Sequence, residues 1–186
     1  MIALQDFTRA DFDQLIKWIP NQELLHRWCG SLFSFPLTHS SLSWYIKDNN
    51  EPGESDAYIY KAVDLDSNKT VGHISLGGIS WKNKSARITR VLVGDEYQGK
   101  GHCCTMTREI IKIGFETLDL HRISLGVYST NAAAVKCYEK AGMMQEGMHR
   151  DVFLYKGEYW SMIEMSILQS EWKAQNPKEE ANVTNG

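Results

Sequence analysis

The sequence predicts one α/β domain of the α+β kind, a mixed and mostly antiparallel sheet flanked by helices. Three observations predict it. Segments of helical period come first, three segments of strand period separated by short turns follow, and a strand, loop, helix, strand, helix succession then leads into a closing hairpin. A chain of 186 residues that is 42% hydrophobic and 23% charged suits one core, since a domain takes roughly 150 residues.

Thr8 followed by Asp11 reads as a helix cap with an acidic partner, and Phe12, Leu15, Ile16 and Ile19 recur at helical spacing until Pro20 stops the run. Asn21 caps a second short helix carrying Leu24, Leu25 and Trp28, and Thr38 a third through Leu42, Tyr45 and Ile46, with the Ser31 to Pro36 loop between them. Asn49 to Asp56, polar and holding Pro52 and Gly53, is a loop. Strands are then expected at Ala57 to Val63, Val71 to Ile79 and Ala86 to Val93, with turns at Asp64 to Lys69 and Lys82 to Ser85. Helical period returns over Gly101 to Leu118, Ile123 to Val127 is a short β-branched strand, and Asn131 to Ala141 is a helix that Gly142 ends. Met143 to Leu168 reads as strand, turning at Lys156-Gly157-Glu158. The domain is expected over residues 1–172, with Lys173 to Gly186 a disordered tail poor in large apolar residues; the Asn182-Val183-Thr184 triplet in it is a chance match to a glycosylation acceptor.

Composition removes several classes. Twenty Lys and Arg against twenty-three Asp and Glu give a net charge of −3, the wrong balance for a protein that binds phosphate backbones, so no nucleic-acid partner is expected. No run approaches the ~18 apolar residues of a membrane span. Asp6, Arg9 and Asp11 come too early for a signal peptide, so a cytoplasmic protein with no membrane partner is expected. The four cysteines, Cys29, Cys103, Cys104 and Cys137, form no CxxC pair, which argues against a metal site or a disulfide framework.

Chemistry concentrates in the stretch from Val91, Leu92 and Val93 through Gly94-Asp95-Glu96-Tyr97 to Gln98-Gly99-Lys100-Gly101-His102-Cys103-Cys104. A buried strand runs into a glycine turn that opens a long helix, whose first N–H groups lack partners and carry partial positive charge. Gly99 and Gly101 let the backbone approach a phosphate, and Lys100 adds charge. Gly101 after Lys100 excludes a Walker loop, and the lack of a third glycine near Cys104 excludes a Rossmann fingerprint.

Gln98-Gly99-Lys100-Gly101-His102-Cys103 resembles the acetyl-CoA loop Q/R-x-x-G-x-G/A of the GNAT superfamily of N-acetyltransferases, matching at Gln98 and Gly101 and departing at Cys103. Asn131-Ala132-Ala133-Ala134-Val135-Lys136-Cys137-Tyr138-Glu139-Lys140-Ala141-Gly142-Met143 is similar to that superfamily's second block, N-x-x-A/S-x-x-x-Y-x-x-x-G-F, with Met143 for Phe. The two blocks stand in the expected order around Leu120-His121-Arg122-Ile123. Gln145 to Asp151 and Tyr159-Trp160-Ser161-Met162 further resemble the RimJ/RimL-type branch, which includes ribosomal-protein N-terminal acetyltransferases, and the likeness runs nearly to Trp172.

The resemblance implies a GNAT-type sheet with splayed central strands and an acetyl-CoA-dependent N-acetyltransferase working by direct attack of a primary amine in a ternary complex, with no metal. Acetyl-CoA would lie on Val91, Leu92, Val93, Gln98, Gly99, Lys100, Gly101, His102, Cys103 and Asn131, and Tyr138 would be the general acid at the sulfur. Tyr138 follows Asn131 by seven residues, two helical turns, which puts both on one helix face, whereas Cys137 is expected to point to another. Many relatives carry a strand Glu where this chain has Arg87, so the base is open among Glu23, His26, His73, His121 and ordered water, with His121 read as packing. The acceptor, a small-molecule amine or a peptide N-terminus, would meet Trp28, Phe33, Phe35, Tyr159 and Trp160, with Glu23 or Glu158 receiving a cation and Arg87 and Arg90 either strand charges or a carboxylate site. A homodimer through edge strands is compatible with the pattern. The contrasting reading, a non-catalytic acyl-CoA-binding module, draws on Arg87, Cys103 and Met143.

Overall fold

The structure, a computed structural model, describes residues 1–177. The N-terminal residues, expected to lead straight into helices, instead form strand β1 (Ile2–Asp6), paired antiparallel along the edge of β2 (Ala57–Asp64). Three short helices intervene: α1 (Phe12–Trp18), α2 (Gln22–Cys29) and α3 (His39–Tyr45). Their caps are those the sequence predicts. Asp11 Oδ2 accepts from the Thr8 backbone N–H at 2.9 Å, Asn21 Oδ1 from Leu24 N–H at 2.9 Å, and Thr38 Oγ1 from Ser41 N–H at 3.1 Å.

β2, β3 (Lys69–Ser80) and β4 (Ser85–Val93) form the expected antiparallel meander. Helix α4 (His102–Lys112) widens at its end into a π-turn over Ile113–Thr117, and β5 (Arg122–Tyr128), α5 (Ala132–Lys140), β6 (Met144–Tyr155) and β7 (Glu158–Leu168) complete the chain up to a last helix, α6 (Gln169–Gln175). Helix α6 corrects the expected tail at residues 173–177. Trp172 anchors it, buried against Phe115 and donating to Glu116 Oε1 at 3.1 Å, while Arg108 bonds Asn176 at 2.8 Å. The rest of the expected tail, 178–186, lies outside the described residues.

The sheet has seven strands in the order β1-β2-β3-β4-β5-β7-β6. Among the described residues only the β4–β5 pairing is parallel. It covers three residue pairs, Ser85 with Arg122, Ala86 with Ile123 and Arg87 with Ser124, after which the strands part. One sheet face packs on α4, α5 and α6 through Ile74, Leu76, Ile88, Ile110, Ile111, Ile123, Met165 and Trp172. A second cluster, with Phe12, Leu15, Ile19, Leu25 and Leu42, seats α1 to α3 on Ile59 and Leu92. Each large aliphatic buried in these clusters contributes about 2 kcal/mol relative to exposure.

Candidate active site

The candidate site begins where β4 leaves β5. Arg90 and Val91 together oppose Ile74, because His73 pairs with Leu92 but Ser75 with Thr89; this is a bulge, and Arg90 adopts φ +53° there. The Arg90 carbonyl turns inward and accepts from Trp28 Nε1 and from His73 Nδ1, both at 2.9 Å. The bulge bends β4 where β5 parts from it, so the edge of β4 from Ile88 onward is left without a strand partner on the β5 side. Val91 and Val93 pack towards α4 and Leu92 towards α1 to α3, leaving the backbone as the part of this segment that faces the opening.

Beyond Val93 the chain makes a single turn at Asp95–Tyr97 and enters the glycine loop. Gly99 at φ +75° and Gly101 at φ +82° take the left-handed conformation, and no atom lies within 4 Å of where either side chain would start. Gly101 caps α4, and the amides of His102, Cys103 and Cys104 precede the first helical bond, from Thr105 N–H to Gly101 O. Open space, free amides and an aligned helix of eleven residues fit the pyrophosphate of a CoA ester. Two expected side chains are engaged elsewhere: Gln98 donates to Asp95 at 2.8 Å, and Lys100 to the Glu96 carbonyl at 3.0 Å while lying over Tyr97.

Tyr138 sits on α5, 6% exposed, inside the larger core cluster beside α4. Burial, with the Cys103 and Cys137 thiols beside it, holds its phenol well above the ordinary value near 10. Cys137, the residue before Tyr138, turns towards α4. Its thiol meets that of Cys103, and this hydrogen bond together with burial pushes Cys137 far up, so it is no thiolate at neutral pH. Asn131 accepts from Ala134 N–H at 3.1 Å and thereby caps α5.

The acceptor side differs more from expectation. Trp28 and Phe33 are core residues of the α1 to α3 cluster, whereas Phe35 and Tyr159 are exposed and Trp160 is buried among Tyr128 at the end of β5 and Phe153 and Tyr155 of the closing hairpin. Arg27 lies 4.7 Å over the Trp160 ring and ties α2 to that hairpin. Of the candidate bases, His73 is 1% exposed among Phe7, Trp28 and Tyr45, and burial pushes it down to about 4, a neutral structural ring. His26 bonds the Gly30 carbonyl at 3.0 Å, Glu23 pairs with Arg27 at 3.0 Å, and His121 is exposed at the far end of β5 and not packed.

One carboxylate escaped the sequence reading. Glu164 on β7 reaches across β5, grasps both terminal nitrogens of Arg87 and leaves Arg87 within 3.2 Å of Ser124 Oγ. Between them lies Gly126, exposed, whose absent side chain would collide with the Met162 sulfur at 2.5 Å. None of the candidate bases expected from the sequence lies on β7, and the strand order β4-β5-β7 is what brings Glu164 to Arg87.

A sheet that opens between its two parallel strands, beside a glycine loop and a helix N-terminus with a buried tyrosine alongside, defines an acyl-CoA-dependent transferase. Residues 2–144 match the acetyltransferase (GNAT) domain model, and the chain belongs to that family. It is an acetyl-CoA-dependent N-acetyltransferase. Among its relatives is the spermidine N(1)-acetyltransferase of Vibrio cholerae, 28% identical over 92% of this chain and 95% of that protein. A putative ribosomal N-acetyltransferase of Bacillus subtilis is 29% identical over 56% of each chain. The crystal structure of spermidine N-acetyltransferase from Vibrio cholerae with CoA and spermine superposes with a TM-score of 0.79 at 24% identity, covering 92% of this chain and 97% of that one. Among the described residues no His, Cys, Asp and Glu cluster could hold a metal.

Proposed function

We propose that the chain acetylates the primary amine of a small molecule by direct attack within a ternary complex. The observation that carries this reading is the opening of β4 from β5 next to the glycine loop, with Tyr138 on the adjoining helix. Acetyl-CoA supplies an acyl group already activated as a thioester. The amides of Cys103 and Cys104 hold the pyrophosphate, framed by Gln98, Gly99, Lys100, Gly101 and His102, and the side-chain NH2 of Asn131, which its capping role leaves unengaged, reaches the same ligand. Unpaired N–H groups on the Val91, Leu92 and Val93 segment bind the pantetheine arm and donate to the carbonyl oxygen where charge gathers. Tyr138, kept protonated by burial, donates to the departing sulfur. The amine's proton leaves through water ordered near Glu164.

The relatives named for spermidine favour a small amine, and the relative named for the ribosome, with the Trp160-Ser161-Met162 ending of a RimJ/RimL-like branch, makes a protein N-terminus the second acceptor class. Four unbridged cysteines suit the reducing cytoplasm, and the exposed Met144, Met148, Val152 and Leu154 of edge strand β6 offer a seam for a homodimer. The test is mass-spectrometric detection of products after incubation with acetyl-CoA and a mixed panel of polyamines, amino acids, aminoglycosides and N-terminal peptides. A small amine gaining an acetyl group is expected. Binding of acetyl-CoA with no acetylated panel member would overturn the reading.

A further inference from the structure

Several carboxylates around the acceptor side are held by cations. Glu23 is held by Arg27 at 3.0 Å, Asp11 by Lys61 at 2.8 Å, and Glu164 by Arg87. Arg90 has no carboxylate within ion-pair distance among the described residues. Its guanidinium lies 4.8 Å over the Tyr45 ring and donates one bond, to Thr89 Oγ1 at 3.1 Å, while its buried Nε has no acceptor at all. A donor withdrawn from water and left unpaired costs about 1–3 kcal/mol, and more when it is charged. The backbone beneath it is equally unusual. A non-glycine residue stays at φ +53° only when its surroundings fix it, as the two bonds from Trp28 and His73 do here. The bulge thus holds an incompletely satisfied cation over Tyr45, on the part of β4 that no longer pairs with β5.

We infer that Arg90 binds an anionic group on the acceptor, so that the substrate is an amine bearing a carboxylate, of the amino-acid type, and not a polycation. This rests on reading the β4–β5 opening as the site of transfer. A guanidinium donates to a carboxylate through a fork of parallel bonds, and of the Arg90 nitrogens the terminal pair, of which Nη1 alone is engaged, is the one an arriving carboxylate can reach. The same charge repels a polyamine. It also lowers the pKa of an ammonium docked beside it, which favours the neutral nucleophile in a site where Arg87 stands in place of a strand carboxylate.

Pairs of amines that differ only in the carboxylate test this: lysine against cadaverine, and phenylalanine against phenethylamine. In wild-type protein the carboxylated member of each pair should have at least about tenfold higher kcat/KM, and in Arg90→Gln that preference should fall to about twofold through KM for the amine, with KM for acetyl-CoA steady. Calorimetric titration of the same pairs into CoA-saturated protein should show the same preference without turnover. Preference for the decarboxylated member, or a carboxylate preference that survives Arg90→Gln, would overturn the inference. Arg90-dependent carboxylate binding with no turnover of any amine would sustain it while sinking the proposed transfer; failure of every amine to bind would sink both. Should Arg90→Gln not fold, Arg90→Lys and the wild-type pair preference decide the matter.

Discussion

Tyr138 is a phenol that its surroundings keep protonated. The folded-state value lies well above 10, so the donor persists across the working range and its loss cannot shape a pH profile below about 10. The rate should rise as the acceptor amine deprotonates and then level off, with no descending limb before pH 10. Tyr138→Phe should lower kcat roughly 100-fold or more and leave the dissociation constant of acetyl-CoA within about twofold, as measured by steady-state kinetics and titration. Cys137→Ala, in contrast, should retain kcat within about threefold, because that thiol is hydrogen-bonded and uncharged. An acetylated Cys137 found by peptide mass analysis would refute the direct-attack mechanism. At this scale the sequence offered Tyr138 through its resemblance to the superfamily's second block, and its spacing from Asn131 put the two on one helix face, a local relation. Glu164 stayed hidden because its partner Arg87 lies two strands away, and the contact exists only once β7 inserts between β5 and β6.

The elements show the same division between local and remote causes. Caps at Thr8, Asn21 and Thr38 were legible because a cap bonds an amide three residues away. β1 was not, since its five residues become a strand through pairing with β2 across more than fifty residues of chain. α6 was not either, since Trp172 holds it from one side through Phe115 and Glu116. Gly101→Ala tests the glycine loop: at φ +82° the added side chain should cost about 1 kcal/mol and raise KM for acetyl-CoA several-fold, with kcat changed less. Asn131→Ala should lower the stability of the domain by about 1 kcal/mol in urea titration.

The molecule as a whole rests on two cores, and the smaller one carries an acid-sensitive group. Burial holds His73 at about 4, against 6.5 for a free side chain, so between those values the unfolded chain binds a proton that the folded chain refuses. Stability from this site is therefore complete above pH 6.5 and is lost as pH falls towards 4, by about 3 kcal/mol in all. Urea midpoints at pH 7 and pH 4.5 should show the drop, and His73→Gln should shrink it. An equal drop in the variant would assign the acid sensitivity elsewhere.

The candidate cradle for the CoA ester is built from main-chain amides, two left-handed glycine positions and a parted strand. Such a binding surface is written in the path of the chain more than in its alphabet of side chains, so substitution can drift through the loop while the contact survives, provided the path is kept. A cysteine at position 103, where the resemblance leads one to expect glycine or alanine, leaves that path as described, with Gly101 as the cap of α4. Arg90 sits under the opposite regime: the path there presents a side chain, and under the inference drawn above one substitution at that position would change which amines are taken.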